Sequence, residues 1–239
     1  MTGTILNAAA ILLGGVAGLT SSRQLTLTHQ TALKILMGAF TVYVGLSMTW
    51  QGLSGSFSQF LKKLVVLLLA LMLGNLTGKL IRVQKSLNRL GQFAKQKIAD
   101  AKPNSPHRFN DGFVTCSLLF CVAPIAFLGP LADGLTGNFK ILAVKALMDG
   151  LATMAFVGMF GWGAILSIIP VIACQGTITL LARLLQPYLA QHELLDSFNA
   201  TGGMLVFCIA LIILELKKIE LADYLPSLAF APLLTWLWR

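Results

Sequence analysis

FLGPLADGLTGNFKILAVKALMDG, residues 127–150, decides how the chain is read. The stretch is apolar enough to lie in a bilayer. Yet it holds Asp133, Lys145 and Asp149, in a chain with only nine acids among 239 residues. Composition identifies the solvent. The chain is 56% hydrophobic and 11% charged, where a soluble domain carries about 25% charged residues. Mean hydropathy is +0.79. Several apolar runs reach or approach the ~20 residues a helix needs to cross the hydrocarbon core. A soluble fold of this length could not bury so much apolar surface, and the alternating segments of a transmembrane β-barrel do not occur. The sequence predicts an all-α polytopic membrane protein, one transmembrane domain over residues 1–239.

Outward from that stretch, eight spans can be placed: roughly 2–20, 32–53, 60–80, 112–134, 138–161, 161–185, 201–218 and 221–238. The count is seven if the last does not cross, since Asp223 and Pro226 interrupt its start. In the fourth span, Pro124, Gly129 and Pro130 predict a broken helix. The first run, TGTILNAAAILLGGVAGL, lacks a basic n-region and a clear cleavage site, so it is read as a retained span. Its Gly14, Gly15 and Gly18 suit close helix packing, or alternatively the lining of a path.

The net charge is +9, but its distribution argues against nucleic acid. Eight of the eighteen Lys and Arg residues fall between Lys79 and Arg108, the mark of a cytoplasmic loop, here 81–111. With that loop inside and eight spans, both termini face the periplasm. Twelve basic residues then lie inside and five outside, with Lys145 in the membrane.

There is also an internal echo. GTILNAAAILLGG begins at Gly3 and GAILSIIPVIACQ at Gly163, which aligns Asn7 with Ser167. Five spans separate the two, so the copies would face opposite ways. The pattern is an inverted repeat of the first three and last three spans around a broken fourth and a charged fifth. Chance matching of short apolar strings is the alternative.

Ionisable groups at membrane depth are costly and by default functional candidates. From a helix start near Asn138, Lys145 lies roughly 10 Å and Asp149 roughly 16 Å along the axis. At i, i+4 they share one face and can pair. The pair either fixes packing or belongs to a solute pathway, where a carboxylate exchanging Lys for H⁺ or Na⁺ would supply coupling. Asp133, beyond the predicted break, is either an interfacial helix end or part of the entry. Asn7, Ser167 and Gln175 add uncharged polar atoms in the first and sixth spans. Singly they read as interhelical glue; with Pro170 they read as walls of one cavity.

Enzyme motifs are absent: no Gly-x-Ser-x-Gly, no P-loop and no paired-His motif. No catalytic residue, cofactor or metal is expected. The four cysteines lie in apolar runs and read as packing residues, while His29, His107 and His192 fall in connections.

TGTILNAAAILLGGVAG, LLFCVAPIAFLGPLADGLTGN, KALMDG and LPSLAFAP together resemble the YqgA-like bacterial membrane proteins, the family known as domain of unknown function 554. The resemblance covers nearly the whole chain. It implies a bacterial inner-membrane protein with no established activity, a transport role having been suggested for some members. Members often carry a glutamate near the end of the third span, and this chain departs from that, reading LGNLTGKLIRV with Asn75 and Lys79.

The expectation is a secondary transporter or ion-coupled carrier for a small polar solute or ion. The site would be Asp149, Lys145, Asp133, Asn7, Ser167 and Gln175, Na⁺ or H⁺ the coupling ion, and a homodimer in the lipid bilayer the assembly. The alternatives are a channel, or a non-transport scaffold acting through the basic loop.

Overall fold

The computed structural model describes residues 1–20, 26–101, 107–191 and 194–238. His192 lies outside them. The described residues form helices and turns, with no strand. In chain order these are α1 (Thr2–Thr20), α2 (Leu27–Leu53), α3 (Phe57–Leu80), α4 (Val83–Ala99), α5 (Arg108–Val122), α6 (Ile125–Thr136), α7 (Lys140–Phe160), α8 (Trp162–Leu166), α9 (Ile168–Gln191) and α10 (Leu195–Ile213). A 3-10 helix (Leu221–Tyr224) and α11 (Ser227–Leu237) finish the fold. Six helices are long and apolar enough to cross a membrane, or seven when α5 and α6 count as one bent span. The segment Leu221–Leu237 is apolar but shorter. The basic stretch after α3 is not an open loop through most of its length, because α4 occupies it.

Local chemistry sets the boundaries. Ser56 and Gln59 make a capping box at the start of α3: the Gln59 N–H donates to Ser56 Oγ at 3.4 Å and the Ser56 N–H to Gln59 Oε1 at 3.1 Å. The α5–α6 bend is 58°. It falls at Ala123, which the following Pro124 holds extended at φ −61°, ψ 141°. Pro130 and Gly129, expected to break the helix as well, lie inside α6. One break suffices, since a proline inside a helix frees one backbone group, which membrane helices tolerate. At the far end of α7, Gly161 turns the chain at φ 62°. There the Arg108 guanidinium donates to the carbonyls of Met159 (2.7 Å) and Gly158 (2.9 Å), a cation on the negative end of the helix.

The chain forms two compact units, residues 1–29 with 86–181 and residues 30–85 with 182–239. In the first, α1 lies along α7, with α5, α6 and α8 around them. Ile11, Cys116, Phe120, Val157, Phe160 and Val171 share its apolar core. In the second, α3 packs on α10, α11 and the 3-10 helix, over a core of Leu53, Leu67 and Ala200.

Helix directions follow from which residues meet. Gly3 meets Leu142, Gly14 meets Gly150 and Gly18 meets Met154, so α1 and α7 run parallel. In the second unit Gly38 meets Leu214 and Gly52 meets Ala200, so α2 and α10 are antiparallel. Gly74 meets Ser227 and Gly78 meets Asp223, so α3 and the last segment are antiparallel too. These directions bear on the bent pair. If α2, α3 and α9 each cross the membrane, α7 can parallel α1 only when α5–α6 crosses as well. The two antiparallel pairs impose the same condition. A re-entrant α5–α6 would reverse all three relations.

Candidate functional site

The α1–α7 contact is built on small residues. A Cβ on Gly14 would stand 2.1 Å from the Gly150 carbonyl oxygen, and one on Gly18 2.4 Å from that of Met154. No side chain fits at either position, so the two backbones touch. The glycines are thus packing residues, as the first of their two readings had it.

Asn7 and Asp149 meet across this contact. The Asn7 amide donates from Nδ2 to Asp149 Oδ2 at 3.0 Å. The Lys145 ammonium, one turn back on α7, pairs with the same oxygen. Its other side faces the Phe120 ring, 5.8 Å from the centroid. The Thr153 hydroxyl, one turn further on, donates to the Asp149 carbonyl at 2.7 Å. Lys145 is 1% exposed, Asp149 7% and Asn7 0%. An ammonium that deep persists only because carboxylate and ring replace its water.

Asp133 joins α1 one turn from Asn7. Its Oδ2 accepts the Gly3 N–H at 3.0 Å and lies 3.2 Å from the Met1 nitrogen. A carboxylate at the first turn of a helix satisfies a backbone donor with no intrahelical partner and opposes the positive end of the dipole. The first two turns of α1 therefore hold both buried carboxylates of the opening stretch, Asp133 at Gly3 and Asp149 at Asn7.

The other two expected residues stand apart from this network. Ser167 is buried in the break between α8 and α9, where its hydroxyl donates to the Ala164 carbonyl at 2.6 Å. Gln175 is fully buried on α9 and neither amide atom has a protein partner. The Asn7 Oδ1 and the hydroxyls of Thr4, Thr115 and Thr179 are likewise buried and unpartnered. All belong to the first unit. The Asn75 Oδ1 and the Thr201 hydroxyl are in the same state in the second unit, and each such group costs free energy when it is buried in an apolar setting.

Sequence reading missed Phe120, Thr153 and the three threonines. Thr153 was within reach of it, because Lys145, Asp149 and Thr153 repeat at four-residue spacing on one helix face. Phe120 was not, since nothing local distinguishes it from other apolar residues. Among the described residues, no three His, Cys, Asp or Glu side chains group as metal ligands.

Fold and site define a polytopic α-helical membrane protein with a buried Lys–Asp–Asn network at a tight helix contact. The chain belongs to the protein family of unknown function DUF554, whose profile matches residues 2–236. Two relatives match over nearly full length. The uncharacterized membrane protein YdfK of Bacillus subtilis (strain 168) is 28% identical over 233 residues, 97% of this chain and 94% of that protein. The uncharacterized protein YqgA of Escherichia coli (strain K12) is 27% identical over 237 residues, 99% and 97% of the two chains. No solved structure is a significant match.

Proposed function

We propose that the protein is an ion-coupled carrier for a small polar solute or ion across the bacterial inner membrane. The observation that carries this reading is the buried Lys145–Asp149 pair, held by Asn7 and set in a unit where Gln175 and three threonines lack protein partners. A pair needed only for packing can be replaced by apolar side chains at little cost. A carrier has reason to keep it, because a proton, Na⁺ or a polar solute can take the place of one partner. Asp133 fixes the start of α1 and so the position of Asn7 over Asp149. Termini in the periplasm and residues 81–111 in the cytoplasm fit the distribution of basic residues. The antiparallel contacts of α2 with α10 and of α3 with α11 are compatible with an inverted repeat of these spans.

A thermal-shift screen of the purified protein against Na⁺, H⁺ and small metabolites tests the proposal, since a ligand of the folded state raises apparent stability. At least one such ligand should raise the midpoint of the natural protein and leave Asp149→Asn unmoved. A folded Asp149→Asn protein that responds to every stabilising ligand as the natural one does would sink it. A channel would instead conduct without saturation or gradient coupling. A scaffold would show no flux and would lose its role when residues 85–108 are deleted.

A further inference from the structure

The basic helix α4 takes no part in the buried network, and its surface has a chemistry of its own. Val83, Leu87, Ala94 and Ile98 recur at four- and seven-residue spacing and turn inward; Ala94 is fully buried. Ile98 packs against the core of the first unit, and Lys97 pairs with Asp111 at 2.8 Å. Gln84, in the first turn of α4, makes a reciprocal clasp within the second unit. The Gln84 N–H donates to Asp223 Oδ1 at 2.8 Å, and Gln84 Oε1 accepts the Ala222 N–H at 3.0 Å. Asp223 is buried. The corner between α3 and α4 is made at Arg82, whose φ of 57° is unusual for a residue other than glycine.

The outward surface is basic and apolar together. Six Lys or Arg residues lie from Lys79 to Lys97, with no acid before Asp100. Lys85, Arg89 and Lys95 are exposed. So are Leu90 and Phe93, at 40% and 44%, and so are Leu80 and Ile81 at the end of α3. Phe93 stands four residues after Arg89 and four before Lys97, so cations flank an exposed ring. α3 is long and apolar enough to cross a membrane and α5 opens the bent pair that follows, so the chain enters and leaves α4 at one membrane face. Exposed Leu and Phe between cations suit the boundary between headgroups and acyl chains. They give nothing to a nucleic acid backbone.

We infer that α4 is an interfacial docking surface for anionic phospholipid headgroups, with Leu90 and Phe93 entering the acyl boundary and Lys85, Arg89 and Lys95 holding the phosphates.

The test uses full-length protein in nanodiscs mixing phosphatidylglycerol and phosphatidylcholine, transferred to mild detergent, with retained lipids counted by native mass spectrometry. The natural protein should retain phosphatidylglycerol over phosphatidylcholine, and rising salt should weaken the preference. Lys85→Gln/Arg89→Gln/Lys95→Gln should reduce retained phosphatidylglycerol by well over fivefold, since each basic residue near an anionic surface contributes a factor of about five and three are removed. Lys62→Gln/Arg183→Gln, which removes two charges elsewhere, should leave retention unchanged. Equal retention of the two lipids by the natural protein would overturn the inference. So would an undiminished preference in a triple variant that melts with the natural protein in pure phosphatidylcholine. If the triple variant does not fold, the single changes Lys85→Gln and Lys95→Gln at these exposed sites decide the matter by the same count. A protein or nucleic acid ligand that binds α4 while no lipid preference is seen also counts against it.

Discussion

At the scale of residues, Asp149 Oδ2 takes two donors, the Lys145 ammonium and the Asn7 amide. The two contribute differently. Removing the ammonium leaves a buried carboxylate with an amide for company; removing both charges leaves a neutral contact. Lys145→Met alone should therefore destabilise the protein by about 3–5 kcal/mol, while Asp149→Asn with Lys145→Met should be within about 1 kcal/mol of the natural protein. Melting of both variants in one detergent checks the pair of values. Function separates the two readings of the pair: a folded double variant with normal transport would leave packing as its whole purpose. Asn7→Leu should also lower the midpoint, because it strips Asp149 of a hydrogen bond worth about 1.5–3 kcal/mol to a charged group. Ser167→Ala, in contrast, removes only a local bond to Ala164 and should leave ligand response intact.

At the scale of elements, the network depends on how closely α1 approaches α7. With backbones in contact at Gly14 and Gly150, Asn7 is short enough to reach across and long enough to bond. Gly14→Leu must separate the helices, and overpacking of that kind costs about 3 kcal/mol. It should lower the melting midpoint and abolish ligand-dependent stabilisation together, whereas Gly91→Ala on α4, where a Cβ meets nothing within 4 Å, should do neither. The bent pair makes a separate prediction. If α5–α6 crosses the membrane, α4 and the Gly137 turn lie on opposite sides. In a variant with the four native cysteines replaced, a cysteine at Gln92 should resist an impermeant thiol reagent applied to intact cells, and one at Gly137 should react. Labelling of both from the same side would make α5–α6 a re-entrant loop.

At the scale of the whole molecule, the exposed apolar side chains of α2 and α3, such as Leu36, Trp50, Met72 and Leu76, need lipid or a second copy of the chain. Closed two-fold symmetry is the commonest way for such a chain to assemble, and a homodimer is the expected mass in native lipid nanodiscs. A monomeric mass there and in mild detergent would refute this. Trp50 stands in an open groove on α2 with Tyr43 and Leu46, so Trp50→Ala gives a direct way to ask whether that face is used.

Solvent and element type were determined by the sequence, because hydrophobic runs near 20 residues leave backbone groups no partners but their own helix. The Lys145–Asp149 pair was legible for a similar reason: an i, i+4 relation is fixed by helix geometry alone. The Pro124 break was legible too, since proline acts on the residue before it whatever surrounds them. Tertiary structure decided the rest. It made α4 a helix with an inward face, where charge alone had suggested a loop. It brought Asn7 to Asp149 and Asp133 to Gly3 across more than a hundred residues, and left Ser167 outside the network. No local rule assigns partners at such separations. They depend on which helices lie side by side, and that is set by where small residues let backbones touch.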